Sequence, residues 1–185
     1  RELSRSERQT EALRANLEAA RRSAEEDYLT GLPNRRAFEK LFVTEHREAR
    51  NAIEPLVVAF CDIDLFKRIN DTHGHDTGDR VLKAGADKLS CISSEQCYVA
   101  RHGGEEFVIL FRNKSIEEAS HLLDAAREDI GSRRMINRKT KVPIGNVTFS
   151  AGIADVFAYP NPRDALKAAG LALYQAKEEG RNRIF

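Results

Sequence analysis

Apolar and polar positions recur with several different periods along the 185 residues, and each period predicts a different element. Residues 1–26 contain no Gly or Pro and are rich in Arg, Glu, Ala and Leu. Within them Leu3, Ser6, Thr10, Leu13, Leu17, Ala20 and Ala24 follow alternating three- and four-residue steps, which predicts a helix carrying the seam of a two-stranded coiled coil. Ser and Thr weaken that seam, which suits a helix that must change register or crossing in response to a signal. Glu18 and Arg22 add an i,i+4 pair in the favourable order. Gly31 and Pro33 break the leading helix, and Asn34 predicts the cap of a second one running to about residue 50.

The continuous apolar run at 56–63 predicts a strand covered on both faces. Val81, Leu82, Ala84, Gly85 and Leu89 give helical spacing over 76–90. Two β-branched and aromatic runs, 96–100 and 107–111, flank Gly103-Gly104, and glycine's tolerance of positive φ predicts a hairpin there. Helices are expected around 115–133 and over 162–179, the last stopped by Gly180. A strand is expected over 146–155, paired with 141–144. The β-α-β-β-α-β order predicts an α+β fold with a ferredoxin-like or polymerase-palm type central antiparallel sheet flanked by helices. The domain division that follows is a signalling helix over 1–26 and a globular domain over 27–185.

Composition narrows the function classes. Lys and Arg total 30 against 29 Asp and Glu, a net charge of +1, so nothing global marks a nucleic-acid binder. Cys61, Cys91 and Cys97 are odd in number and form no CxxC, which argues for reduced thiols in the cytoplasm rather than disulfides or a zinc site. No apolar run approaches the roughly 20 residues of a membrane span, and no signal peptide is visible. The chain begins at Arg1 rather than Met, so a sensor or membrane-anchoring region is expected in a longer, multidomain protein.

The chemistry concentrates at the glycine turn. Glu105 and Glu106 follow it directly, and adjacent carboxylates repel unless a cation or polar substrate offsets the cost. Asp62-Ile63-Asp64 ends the first central strand, with both carboxylates on one face and Ile63 on the other. Such carboxylates often only cap the next helix. If that strand lies beside the hairpin, however, Asp62 and Glu105 converge on one hard cation, for which magnesium is the expected choice. Leu65, Phe66 and Lys67 then open a helix whose N–H groups, with the Lys67 ammonium, suit anionic oxygens. Lys177 and Arg181 flank the end of the last helix, where they complement its dipole or bind phosphate. His73-Gly74-His75 lacks zinc-site spacing, and His75 is expected to form and cap a turn. Asn70 and Asp79 could read a guanine edge, because a carboxylate accepts from guanine N1–H and N2–H and meets a lone pair on adenine N1.

Taken together these residues resemble the GGDEF family of diguanylate cyclases over about 27–185. Five blocks match in order: Asp27-x-Leu-Thr-Gly-Leu-Pro-Asn-Arg-Arg, the run from Asp62 to Asp79, Arg101-x-Gly-Gly-Glu-Glu-Phe, Thr148-x-Ser-x-Gly-Ile, and Ala172-Leu-Tyr-x-Ala-Lys-x-x-Gly-Arg-Asn. The turn is the Glu-Glu form of the signature. The resemblance implies magnesium ligation, with manganese as an alternative, by Asp62, the Ile63 carbonyl and Glu105. It gives Glu105 a second role in activating a 3′-hydroxyl and Glu106 a supporting role. It implies guanine contacts from Asn70 and Asp79, and triphosphate contacts from Lys67, Lys177, Arg181 and the N–H groups near Leu65 and Phe66. The implied reaction condenses two GTP into cyclic di-GMP and two pyrophosphates across a homodimer, each subunit supplying one half-site.

Two departures stand out. Gly170 replaces an Asp common before the Ala-Leu-Tyr block, and Ser94-Glu95-Gln96-Cys97 occupies the place of the family's inhibitory Arg-x-x-Asp. Ser94 and Cys97 supply neither the guanidinium nor the carboxylate, so little product inhibition through that site is expected. Alternative readings are a catalytically silent GTP-binding module, an enzyme with relaxed base choice, and a purely structural dimerisation domain.

Overall fold

The structure is a computed structural model that describes residues 2–185, with side chains from Ser4 onward. Helix α1 (Glu2–Glu25) is followed by α2 (Arg35–Ala52), β1 (Leu56–Ile63), α3 (Phe66–His73), α4 (His75–Ser90), β2 (Cys97–Gly103) and β3 (Glu106–Arg112). Then come α5 (Ile116–Gly131), β4 (Arg134–Ile136), β5 (Pro143–Asn146), β6 (Phe149–Asp155), a short 3-10 turn and α6 (Pro162–Glu178). The main sheet has the order β2-β3-β1-β6 with every neighbouring pair antiparallel. This is the expected ferredoxin-like α+β sheet.

Strand β1 is buried along its whole length because both faces are covered. Val57, Ala59, Cys61 and Ile63 join Phe107, Ile109 and Phe111 in one core, closed by Val81 and Leu89 of α4 and Ala119 and Leu123 of α5. Leu56, Val58 and Phe60 join Val108 and Leu110 in the other, closed by Phe38 and Phe42 of α2 and by Ala165, Ala169 and Leu173 of α6. Each fully buried large side chain contributes on the order of 2 kcal/mol. The alternation therefore fixes the register, since a one-residue slip would exchange the two cores. Asp62 and Asp64 fall on the α2/α6 face and Ile63 on the other, as their spacing requires.

Helix termini follow the expected chemistry at several points. The Asn34 side chain accepts from the Ala37 N–H and starts α2, while Ser115 and Glu118 form a reciprocal capping box at α5. Three expectations require correction. Residues 141–144 do not pair with the strand at 146–155, which itself begins only at Phe149. Strand β5 pairs with β4 instead, and β4 lies just past the end of α5. The outer edge of β6 is already filled by the C-terminal residues: Ala151 N donates to Arg183 O, and Ile153 N to Phe185 O at 2.7 Å. Pro143, which has no N–H, fits the separate two-stranded ribbon better. His75 does not cap a turn; it is the first residue of α4, and Gly74 (φ 87°) is the cap.

Two glycines of the last layer have opposite meanings. A Cβ on Gly152 would lie 2.1 Å from the Leu173 nitrogen and 2.2 Å from the Ala169 oxygen, so the bare backbone lets α6 rest directly on β6. A Cβ on Gly170 would meet nothing within 4 Å. We therefore expect Gly170→Ala to raise stability by up to about 1 kcal/mol, through helix propensity. Gly152→Ala should lower it by about 1–3 kcal/mol through overpacking. Urea unfolding of the two variants checks both signs.

Candidate active site

The end of β1 is where three distant segments meet. The register places Asp62 opposite Glu106 of β3 and Ser150 of β6. Glu105 sits one residue outside the ladder, and its carbonyl accepts from the Ile63 N–H at 3.3 Å. A strand residue's N–H and C=O point to the same neighbour, so the Ile63 carbonyl faces the hairpin too. Gly103 (φ 155°) and Gly104 (φ 50°) let the turn fold back. The Glu105 carboxyl is thereby brought close enough to that of Asp62 for each to shift the other's proton affinity. Lys177 reaches the same point from the end of α6, its Nζ 2.7 Å from Asp62 Oδ2.

The predicted cation ligands, Asp62, Ile63 and Glu105, thus converge. Asp62 is only 6% exposed, and its Oδ1 is buried with no hydrogen-bond partner. An orphaned carboxylate oxygen beside a second carboxylate is costly unless something cationic completes it. Burial pushes the Asp62 carboxyl above its ordinary range, with Lys177 working the other way. Burial and then the charge of Asp62 push Glu105 up to about 7. Glu106 opens β3, half-buried; burial holds the nearby His102 imidazole below its usual range, with the Glu106 charge working the other way.

The predicted anion contacts surround this pair. Leu65 is held in the left-handed region (φ 55°), a strained setting for a residue with a Cβ, and no side chain caps α3. The first N–H groups of α3, at Phe66 and Lys67, are left without partners in the helix. Asp64 does not cap this helix. Phe66 is a core residue and contributes backbone only, whereas Lys67 is exposed. Arg181 follows α6 in the left-handed region (φ 62°), and its guanidinium has no partner among the described residues. Asn70 of α3 lies against Gly78 of α4, so tightly that a Cβ there would be 1.7 Å from Asn70 Oδ1. That oxygen is also buried without a partner, and Asp79 follows Gly78 on the exposed side of α4. Ser94 and Cys97 lie at the other end of the hairpin, closing a tight turn in which Ser94 N donates to Cys97 O.

A match to the family described as diguanylate cyclase, GGDEF domain, covers residues 24–183. The chain belongs to the GGDEF family. Among its relatives, Pseudomonas aeruginosa cyclic di-GMP phosphodiesterase NbdA is 39% identical over 88% of this chain, and P. aeruginosa diguanylate cyclase DgcP is 36% identical over 96%. The chain spans only 20% and 26% of the lengths of those two proteins. The solved coiled coil and GGDEF domain of DgcB from Caulobacter crescentus, in complex with c-di-GMP, superposes with a TM-score of 0.93 at 34% identity, covering 98% of this chain and 95% of that one.

Two features of this GGDEF domain escaped the reading of its sequence. The first is Arg101, whose Nη1 binds both oxygens of Asp27 at 3.0 Å while Nε and Nη2 donate to the Gly104 carbonyl. The end of the leading helix is thus tied to the glycine turn through one guanidinium. Burial works against the Asp27 charge, yet Thr30 and Arg101 outweigh it and hold that carboxyl below its usual range. The second is Asp64, whose oxygens accept from Thr148 Oγ1 and Ser150 Oγ at 2.7 Å each and from the Asn182 N–H at 3.0 Å. Its signal was present: Thr148-x-Ser150 puts two hydroxyls on one face of an otherwise apolar strand.

The raised Glu105 value has a consequence for stability. The folded protein holds this proton up to about pH 7, the unfolded chain only to about its ordinary 4.5. The associated stabilisation is therefore complete below about pH 4.5 and is lost as pH rises through about 7. For metal-free protein, Glu105→Gln should flatten the fall in stability over that interval. Urea titrations of both forms at several pH values test this, and coincident profiles would contradict the coupling.

Proposed function

We propose that this chain is a diguanylate cyclase domain, condensing two GTP into cyclic di-GMP with release of two pyrophosphates. The observation that carries the reading is the convergence of Asp62 and Glu105 at the end of β1, with one buried Asp62 oxygen left unpartnered. Asp62, Glu105 and the Ile63 carbonyl would hold magnesium, or manganese, which would supply charge neutralisation at the triphosphate and polarise the attacked phosphoryl group. An all-oxygen donor set of this kind suits such a hard cation.

The remaining roles belong to side chains and backbone of this chain. Glu105, with an affinity for protons near neutrality, is suited to take the proton of an incoming 3′-hydroxyl. Glu106 supports the turn from β3. Lys177 leaves Asp62 for phosphate oxygens once substrate and cation are in place. Arg181, Lys67 and the N–H groups near Leu65 and Phe66 that open α3 complete the phosphate cradle. The unpartnered Asn70 Oδ1 fits a donor edge, and Asp79 beside it selects guanine over adenine. Positioning and charge carry most of a phosphoryl-transfer step, so rigid placement of these groups is what the fold contributes.

Each chain holds one such set of groups, while the reaction needs two nucleotides facing each other. A homodimer answers that need. Leu13 and Leu17 of α1 are 69% and 61% exposed, consistent with a seam awaiting a second helix; Leu3, its first position, lies outside the described side chains. Residues 1–26 then form a signalling coiled coil and 27–185 the catalytic domain, acting in the cytoplasm within a longer protein that carries a sensor or membrane region. Among the described residues no helix is long and apolar enough to cross a membrane. Ser94 and Cys97 leave the usual inhibitory site without its charged groups.

Incubation with GTP and magnesium, followed by chromatography, tests the activity directly. Cyclic di-GMP should form, and Glu105→Gln should reduce it to background with unchanged circular dichroism. GTP binding without product would instead identify a silent nucleotide-binding module. Deleting residues 1–24 should give a more monomeric species by light scattering, with a steeper dependence of specific rate on enzyme concentration. A truncated form that stays dimeric and equally active when dilute would assign the helix no part in assembly.

A further inference from the structure

We infer that Asp64 is a positioning residue for the phosphate cradle: it locks the left-handed turn that presents Arg181, and it is not itself a cation ligand. The inference rests on the proposed GTP site. Asp62 near the end of β1 and Asp64 directly past it are equally buried, at 6% exposure each, yet their surroundings differ. Asp62 keeps a buried oxygen without a partner. Asp64 has both oxygens engaged, Oδ1 by Ser150 and Oδ2 by Thr148 and the Asn182 N–H. A carboxylate already satisfied by three donors has little to offer a metal, whereas it fixes whatever donates to it.

What it fixes is a strained stretch of backbone beside the site. Arg181 and Asn182 are consecutive residues with positive φ, 62° and 46°, and neither is glycine. For Arg181 that conformation costs about 1 kcal/mol or more, for Asn182 less, and the pair persists only where its surroundings impose it. Three restraints impose it here. The Arg181 N–H donates to Ala176 O, the Asn182 N–H to Asp64, and Asn182 Oδ1 accepts from Arg127 Nη1 at 2.9 Å. Only the Asp64 restraint comes from the segment that continues the strand carrying Asp62. It therefore sets the distance between the cation-binding end of β1 and the guanidinium one turn beyond Lys177. A phosphate contact misplaced by about an ångström can cost as much as a hundredfold in rate, which gives such an anchor functional weight.

The test is a double-mutant cycle read by calorimetry with a GTP analogue whose α and β phosphorus atoms are bridged by methylene, so that no pyrophosphate can leave. Asp64→Asn keeps the shape but turns one acceptor into a donor facing donors. It should weaken analogue binding about tenfold, Arg181→Ala should do at least as much, and the double variant should be no weaker than Arg181→Ala alone. Thr148→Val, which removes one of the Asp64 donors and retains the fold more easily, should show a smaller loss with the same dependence on Arg181. Additive losses, or unchanged affinity in Asp64→Asn and Thr148→Val, would overturn the inference. Failure of the unmodified protein to bind the analogue would instead count against the GTP site as a whole.

Discussion

Two carboxylates held side by side at the end of a doubly buried strand are the constraint around which the rest of this domain is arranged. Asp62 cannot turn away, because β1 is sealed by apolar side chains on both faces and its register is set by seven pairs on each side. Glu105 cannot turn away either, because its backbone carbonyl is bonded to Ile63 and its turn is clamped by Arg101. Mutual repulsion is answered in part by the elevated proton affinity of Glu105 and in part by Lys177. The fold thus stores unfavourable electrostatics at one point, supported by hydrophobic burial elsewhere.

Delivery of Lys177 depends on packing one to two turns earlier in α6. Ala165, Ala169, Leu173 and Ala176 form the buried stripe of α6, and Gly152 removes the last obstacle to close approach. A helix seated that deeply ends beside Asp62 rather than above it. Beyond α6 the chain must turn back to cover the open edge of β6, and it does so through Gly180 (φ 117°) and the two left-handed residues after it. Edge protection and site construction are therefore the same stretch of chain.

The main sheet was legible from the sequence because its strands are apolar and short, and its turn is a glycine pair. Helix starts at Asn34 and Ser115 were legible because capping is local chemistry. The β4–β5 ribbon was not: Arg134–Ile136 has no apolar run, and the edge of β6 is taken by the tail, an interaction across 32 residues that no local pattern encodes. Within the site, Asp62 and Glu105 could be brought together only by supposing that β1 lies beside the hairpin, which the register bears out, whereas Lys177 was expected at phosphate and its ion pair with Asp62 was not foreseen. Asp64 was seen as a carboxylate but not as an anchor, since its donors come from β6 and from a loop 118 positions away.

The same long-range logic joins the leading helix to the chemistry. Asp27 follows α1 almost directly, and Arg101 carries its charge to the Gly104 carbonyl, immediately before Glu105. Asp27 and Arg101 are 14% and 12% exposed at the side chain, so neither charge has ready access to water as an alternative partner. Removing one would leave the other partly buried and uncompensated, which costs far more than an exposed ion pair contributes. Asn34 adds a second tie, donating to Ala24 O on α1 while its own cap starts α2. A displacement at the end of α1 therefore has a hydrogen-bonded route to the turn that holds Glu105, and little apolar contact along α1 opposes such a displacement, since its side chains from Ser4 to Ala24 are exposed.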